Sequence, residues 1–257
     1  MKKNFVSNSK SSIRMFKNDF LESLSKVQFY VPLVVYVPVI GFLFWKALAE
    51  IQMPVLNFAG WFLLGLAIWT ITEYILHRYV FHFEPDVEWG KKIHFIFHGV
   101  HHDYPNDAKR LVMPPSASIP MALGFYFLFD WILPATTVYP FFSGFMIGYL
   151  FYDMVHYALH HANFKSGFWK QLKQHHMLHH YSDSTKGYGV SWTFWDHIFR
   201  SNFDIASTAD LSCPLPPSIK TKSGKLSLSS FEYLRLTISF IIAKSFWSLT
   251  VFILNFL

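Results

Sequence analysis

Four times this chain runs for 19 to 22 residues without an Asp, Glu, Lys or Arg: between Lys26 and Lys46, Glu50 and Glu73, Arg110 and Asp130, and Asp130 and Asp153. Each run is close to the roughly 20 residues that carry a helix across a bilayer. Backbone polar groups cannot stay unpaired in lipid, so runs of this length point to helices and not to strands. Pro134 and Pro140 mark a turn between the third run and the fourth. The pattern therefore predicts two helical hairpins, and a composition 52% hydrophobic and only 15% charged agrees with a membrane protein. The expected fold is all-α and integral to the membrane, with four transmembrane helices. Residues 235–257 are apolar but carry Arg235 and Lys244, which leaves a fifth span or an interfacial amphipathic helix open. No apolar core appears before about residue 28 and no small-residue cleavage site follows it, so the N-terminus is expected to be retained.

Charge orients the hairpins. Residues 1–27 carry Lys2, Lys3, Lys10, Arg14, Lys17 and Lys26; residues 77–117 carry Arg78, Lys91, Lys92, Lys109 and Arg110; eight more basic residues lie in 156–230. The two hairpin tips, near residues 47–54 and 134–140, carry none. Lys and Arg collect on the cytoplasmic side of short loops, which puts the N-terminal segment 1–27 and two cap segments, 77–117 and 156–230, on that face of a single membrane domain spanning 1–257. Basic residues that merely kept loops soluble would not avoid both tips. The net charge of +6 suits anionic headgroups and not nucleic acid. A lone cysteine, Cys213, excludes an intramolecular disulfide.

All fourteen histidines lie between His77 and His197, in the cap segments and the helix ends that feed them. "HRYVFH" supplies His77 and His82; "HFIFHGVHH" supplies His94, His98, His101 and His102; "HYALHH" supplies His156, His160 and His161; "HHMLHH" supplies His175, His176, His179 and His180. Most pairs are three or four apart, a spacing that lets two imidazoles on one helix face converge on one ion. His77 and His82 are five apart, about 140° around a regular helix, and are expected to flank a helix end instead of sharing a face. Any one of these residues alone reads as a packed or solvent-facing imidazole. Four clusters together do not, because charged clusters would repel one another unless a metal held them neutral and converged. So many imidazoles exceed what one four- to six-coordinate ion accepts, which argues for two metals, and the lack of Cys ligands argues against a zinc finger or iron–sulfur centre.

Imidazole suits zinc, iron, copper and nickel alike. Location narrows the choice: a site directly below apolar helices can meet a lipid chain from the bilayer while dioxygen and electrons arrive from water. Attack on an unactivated C–H bond is chemistry that side chains cannot perform and that iron with O2 can. A membrane metal transporter also uses histidine clusters, but it would string its ligands along a path across the bilayer.

The motifs resemble the fatty acid hydroxylase and sterol desaturase superfamily, and within it the fatty acid 2-hydroxylases that act on sphingolipid acyl chains. The resemblance rests on "HGVHHDYPNDAKRLVMPP", "YDMVHYALHH", "KGYGVSWTFWDHIF" and "MFKNDFLESLSK", and covers about residues 15 to 200. It implies a di-iron, O2-dependent monooxygenase acting on carbon 2 of a fatty acyl chain, of a sphingolipid such as ceramide or of a fatty acid. A desaturase or sterol-type hydroxylase of the same superfamily is the alternative. It also implies ten metal ligands: His77 and His82; His98, His101 and His102; His156 and His160; His176, His179 and His180. His94, His161, His175 and His197 fall outside the pattern. Tyr149, Tyr152 and Asp153 are expected at the substrate mouth or behind the ligands, Glu73 as an acceptor from a ligand N–H, and Asp196 in a structural role. Zinc can replace iron in purified protein. Many eukaryotic members carry a fused cytochrome b5 domain, which 27 residues cannot hold. The expected donor is thus a separate cytochrome b5 or ferredoxin-type protein, and the expected location a bacterial inner membrane in preference to the endoplasmic reticulum.

Overall fold

The computed structural model describes residues 6–203, and within them every regular element is helical. Residues 235–257, expected to span or lie on the membrane, and Cys213 lie outside the described residues. The four uncharged runs become α2 (Val31–Trp45), α3 (Val55–Ile75), α6 (Pro115–Ile132) and α7 (Val138–His161). The shorter α-helices are α1 (Asp19–Leu24), α4 (Glu88–His94), α5 (Val100–Asp103), α8 (Gly167–Tyr181) and α9 (Phe194–Ile198), and π-helical segments Lys46–Glu50, Leu76–Phe81 and Phe95–Gly99 extend α2, α3 and α4. The α6–α7 turn occupies residues 133–137, so Pro134 lies in it as expected. Pro140 sits instead in the first turn of α7, where its missing N–H breaks no helical bond.

Two of the four runs, extended as Val31–Glu50 and Val55–Phe81, are long and apolar enough to cross a membrane, with mean hydropathy 1.9 and 1.7. Val34, Phe42 and Trp45 on α2, Leu56 and Leu63 on α3, and Phe127 and Trp131 on α6 are all exposed. Apolar faces this large are at home against lipid. α7 differs because it is the centre of the bundle, packed on α2, α3, α6 and α8 and buried along most of its length. A helix whose neighbours are protein can carry Ser143, Gly144, Tyr149 and Asp153 in place of aliphatic residues.

Small residues set how closely α3 and α7 approach. A Cβ on Gly65 would fall 1.9 Å from the Phe141 carbonyl oxygen, and one on Gly144 would fall 1.9 Å from that of Phe62. The helices thus touch backbone to backbone, the contact that small residues permit where lipid supplies no hydrophobic drive between helices. At the other end, Arg110 ties the N-terminal segment to the start of α6. Its guanidinium donates to Glu22 Oε1 at 2.8 Å, to Ser25 Oγ at 2.9 Å and to the Ile13 carbonyl at 2.6 Å. The Glu-bearing α1 segment and the Arg-Leu-Val stretch are thus bound to each other.

Candidate metal centre

Two short π-helical segments help decide where the imidazoles point. The last turns of α3 widen into a π-helix, Leu76–Phe81, in which the His82 N–H reaches the His77 carbonyl at 3.2 Å. An i→i+5 bond brings residues five apart onto one side, and the two rings lie 5.0 Å apart by their centroids. The expectation that His77 and His82 would not share a face is therefore corrected: the α-helical 100° per residue does not hold here. A second π segment, Phe95–Gly99, turns His98 inward ahead of α5. π turns of this kind concentrate at functional sites.

Ten histidines converge in two groups of five. His77, His82, His98, His102 and His179 form one, and His101, His156, His160, His176 and His180 the other; within each group the candidate ligand nitrogens lie within 4.8 Å of one another. α5 and α8 feed both groups, since adjacent residues diverge by 100° on a helix and His101 parts from His102 as His179 parts from His180. The groups abut, with the His102 and His180 rings stacked at 4.3 Å.

The nitrogens are arranged for cations. His98 Nε2 stands 3.1 Å from His77 Nε2, 3.2 Å from His82 Nε2 and 3.0 Å from His102 Nε2. His176 Nε2 stands 2.9 Å from His160 Nε2 and 3.2 Å from His180 Nε2. One ring nitrogen cannot make good hydrogen bonds to three others that each also need a partner. Nitrogens bound at about 2.1 Å and at right angles around an ion would be about 3.0 Å apart, so these spacings fit a shared metal. Both ring nitrogens of His101 and of His156 are buried without a hydrogen-bond partner, a costly state unless something accepts the lone pair. Burial, reinforced by neighbouring imidazoles, pushes the pKa of His82, His98, His101, His102, His176, His179 and His180 down, leaving neutral rings with a lone pair to offer.

The four histidines outside the motif pattern also stand outside both groups. His161 packs on Tyr157, His175 contacts Asp196 at 3.2 Å, His197 pairs with Asn202, and the His94 ring lies beside Gly99. Glu73 is not where it was expected. Its Oε1 accepts the backbone N–H groups of Val190 and Ser191, at 3.0 and 2.7 Å, and not a histidine N–H. Asp196 is buried and accepts from the Tyr188 and Gly189 N–H groups and the Ser201 hydroxyl. Sequence reading missed the use of the loop these carboxylates hold: the Tyr188 carbonyl meets His77 Nδ1 at 2.6 Å, and the Lys186 carbonyl meets His179 Nδ1 at 2.6 Å. The two glycines of "KGYGVSW" were the available signal.

Beside the histidines, α3, α6 and α7 line an apolar cavity that is partly open to its surroundings. Its walls include Trp69, Leu76, Phe81, Phe125, Tyr149 and Tyr152. It adjoins both groups, since the Phe81 ring stacks on His98 and the Tyr152 ring on His156. Asp153 is buried one turn beyond Tyr149 on α7 but does not line the cavity. Trp69 Nε1 is buried here without a partner among the described residues, while the Tyr149 hydroxyl interacts with Asp153 and Ser118.

A helical bundle with apolar outer faces and a histidine centre able to hold two metal ions beside an apolar cavity defines a class, the histidine-rich metalloproteins of membranes. The particular family follows from comparison. The fatty acid hydroxylase family model matches residues 62–201, a span that holds all ten converging histidines, and the chain belongs to that family. Among curated proteins it is similar to a rat fatty acid 2-hydroxylase, 34% identical over 74% of this chain and 56% of the relative. It is similar also to a ceramide very long chain fatty acid hydroxylase of Schizosaccharomyces pombe, 38% identical over 73% and 54%, and to a dihydroceramide fatty acyl 2-hydroxylase of Arabidopsis thaliana, 35% identical over 74% and 80%. The chain thus spans about half the length of the first two. Among solved structures, full-length scs7p, with only its hydroxylase domain visible, matches with a TM-score of 0.68 at 37% identity, over 72% of this chain and 70% of that one.

Proposed function

We propose that this chain is an O2-dependent di-iron monooxygenase that hydroxylates carbon 2 of a fatty acyl chain carried by a ceramide-type lipid or a fatty acid. The observation that carries the reading is the junction of the two histidine groups with the apolar cavity, through Phe81 on His98 and Tyr152 on His156. The activities for which the rat, fission yeast and Arabidopsis relatives are named support the substrate class. The two groups, His77, His82, His98, His102 and His179 and His101, His156, His160, His176 and His180, would each hold one iron. Bound iron, with dioxygen and two external electrons, supplies the power to insert one oxygen atom into a C–H bond, the second oxygen leaving as water.

The protein's own side chains do the rest. Cavity walls such as Leu76, Phe81 and Phe125 hold methylenes and exclude water. The Trp69 Nε1–H, without a partner among the described residues, would meet the polar end of the acyl group, while Tyr149 on the cavity wall is held by Asp153 and Ser118. Orientation of this kind decides which carbon reacts. In the proposed topology α2, α3, α6 and α7 all span, the basic cap faces the cytoplasm, and Lys91, Lys92 and Lys109 present positive charge to an acidic ferredoxin or cytochrome b5 donor. The inner-membrane expectation rested on the short N-terminal segment alone, and the proposal takes in only the membrane and its cytoplasmic face. Mass spectrometry of host lipids with the wild-type chain and with His98→Ala tests the reading. Acyl chains should gain one oxygen at carbon 2 with the wild type alone; loss of two hydrogens instead would make the chain a desaturase.

A further inference from the structure

The two histidine groups differ in what stands behind them, and the difference comes from the loop 186–191. Every backbone N–H from residue 187 to residue 191 is held: Gly187 donates to the Ser201 carbonyl at 2.8 Å, Tyr188 and Gly189 to Asp196 at 2.9 and 2.8 Å, and Val190 and Ser191 to Glu73 at 3.0 and 2.7 Å. Asp196 is itself fixed by the Ser201 hydroxyl at 2.7 Å. Gly187 takes a φ of +73°, and a Cβ on Gly189 would fall 2.3 Å from the Trp192 carbonyl oxygen, so the turn accepts glycine at both places. A loop tied at five successive amides presents its carbonyls in fixed directions. Two of them, on Lys186 and Tyr188, accept from Nδ1 of His179 and His77, both members of the first group.

Among the described residues the second group has no such backing. Nδ1 of His101, His156, His176 and His180 is buried without a protein partner. A hydrogen bond from the far ring nitrogen fixes the tautomer, aims the near nitrogen and makes it a stronger base, and its loss commonly lowers metal affinity 10- to 100-fold. Resting on the reading of the ten histidines as metal-holding, we infer that the two groups bind metal unequally. The group of His77, His82, His98, His102 and His179 is the tight site, and Glu73 and Asp196 are its positioning residues, acting through the loop. Burial alone argues for the opposite order, because the second group is the more enclosed of the two. The two ideas are therefore separable.

The test is an equilibrium competition on the purified full chain in detergent, loaded with zinc as the probe and titrated with EDTA, with retained zinc measured by elemental analysis. Two equivalents should leave in two steps whose chelator midpoints differ about 10- to 100-fold. His156→Ala should delete the weak step and His98→Ala the tight one. Asp196→Asn, which turns an amide towards the Gly189 N–H, and Glu73→Leu should move the tight step towards the weak one and leave the weak step in place. Glu73→Gln, whose amide oxygen still accepts from Val190 and Ser191, should restore the tight step, a rescue that a general loss of packing would not show. If Asp196→Asn does not elute as a single species, Ser201→Ala, which removes one donor to Asp196, should shift the same step in the same direction. Release of both equivalents in one step, or a tight step that vanishes with His156→Ala, overturns the inference while leaving the metal reading intact. Uptake of fewer than two equivalents overturns both.

Discussion

Replacing Arg110 by alanine should destabilise the protein by about 3 kcal/mol, the lower end of the range for removing one partner of a buried ion pair. The Arg110 side chain is 2% exposed, and the two carboxylates it faces, on Glu22 and Asp107, are 9% and 2% exposed. Neither acid is left bare by the change, which sets the lower end. Glu22 keeps Lys26 at 2.6 Å and the N–H groups of Met15 and Phe16, and Asp107 keeps the Ser12 hydroxyl at 2.7 Å and the Lys109 N–H at 3.1 Å. The loss comes from burying two carboxylates without their shared cation and from the released Ile13 carbonyl. Apparent melting in detergent, followed by tryptophan fluorescence, should fall by roughly 6–12 °C at roughly 2–4 °C per kcal/mol. Removing both charges is a different perturbation. In Glu22→Gln with Arg110→Met the glutamine oxygen can still accept from Met15 and Phe16, so the double variant should melt well above Arg110→Ala. A fall of less than about 2 °C in Arg110→Ala, or a double variant no better than the single, refutes the reasoning.

Four further outcomes are expected. Hydroxylation should be lost in His98→Ala and His179→Ala but retained in His161→Ala, whose ring lies on Tyr157 outside both groups; product analysis showing full activity in His98→Ala would remove it from the centre. Gly144→Leu should prevent recovery of a single folded species, since even a Cβ there meets Phe62, whereas Gly124→Leu, with nothing within 4 Å, should be tolerated; equal behaviour on size exclusion would refute the close α3–α7 contact. Burial works to raise the Glu22 pKa, but hydrogen bonds from Lys26, Phe16 and Met15 and the Arg110 charge bring it from 4.5 down to about 2. Its stabilising contribution is therefore complete above pH 4.5 and lost as pH falls towards 2. Glu22→Gln should flatten that part of the stability profile, and parallel acid profiles for the two proteins would contradict the assignment. Zinc binds imidazole sites more tightly than Fe(II), so protein purified with zinc should turn over only after reloading with iron and reductant; turnover by the zinc form would refute redox chemistry.

Much of the chain was legible from residue order alone. A run without charge makes a lipid-compatible helix wherever it lies, so α2, α3, α6 and α7 could be placed without knowing their neighbours. The ten histidines that the motifs single out are the ten the structure gathers, because spacing of three and four is a local property of a helix. Which five stand together was not legible. His101 and His102 are neighbours in sequence and part into different groups, because membership depends on which other helix each ring meets. The meeting of His77 with His82 required a π turn, and a single widened turn leaves no mark in hydrophobic periodicity. The role of the 186–191 loop was hidden for a related reason: it acts through backbone carbonyls, which every residue possesses, and only the fold, through Glu73 and Asp196, decides where they point. Sequence determined the helices and the inventory of imidazoles, while the tertiary structure decided their partition and their backing, since the first depends on contacts between separate helices, as of His101 with His156, and the second on contacts such as Tyr188 with His77 and Val190 with Glu73, more than a hundred positions apart.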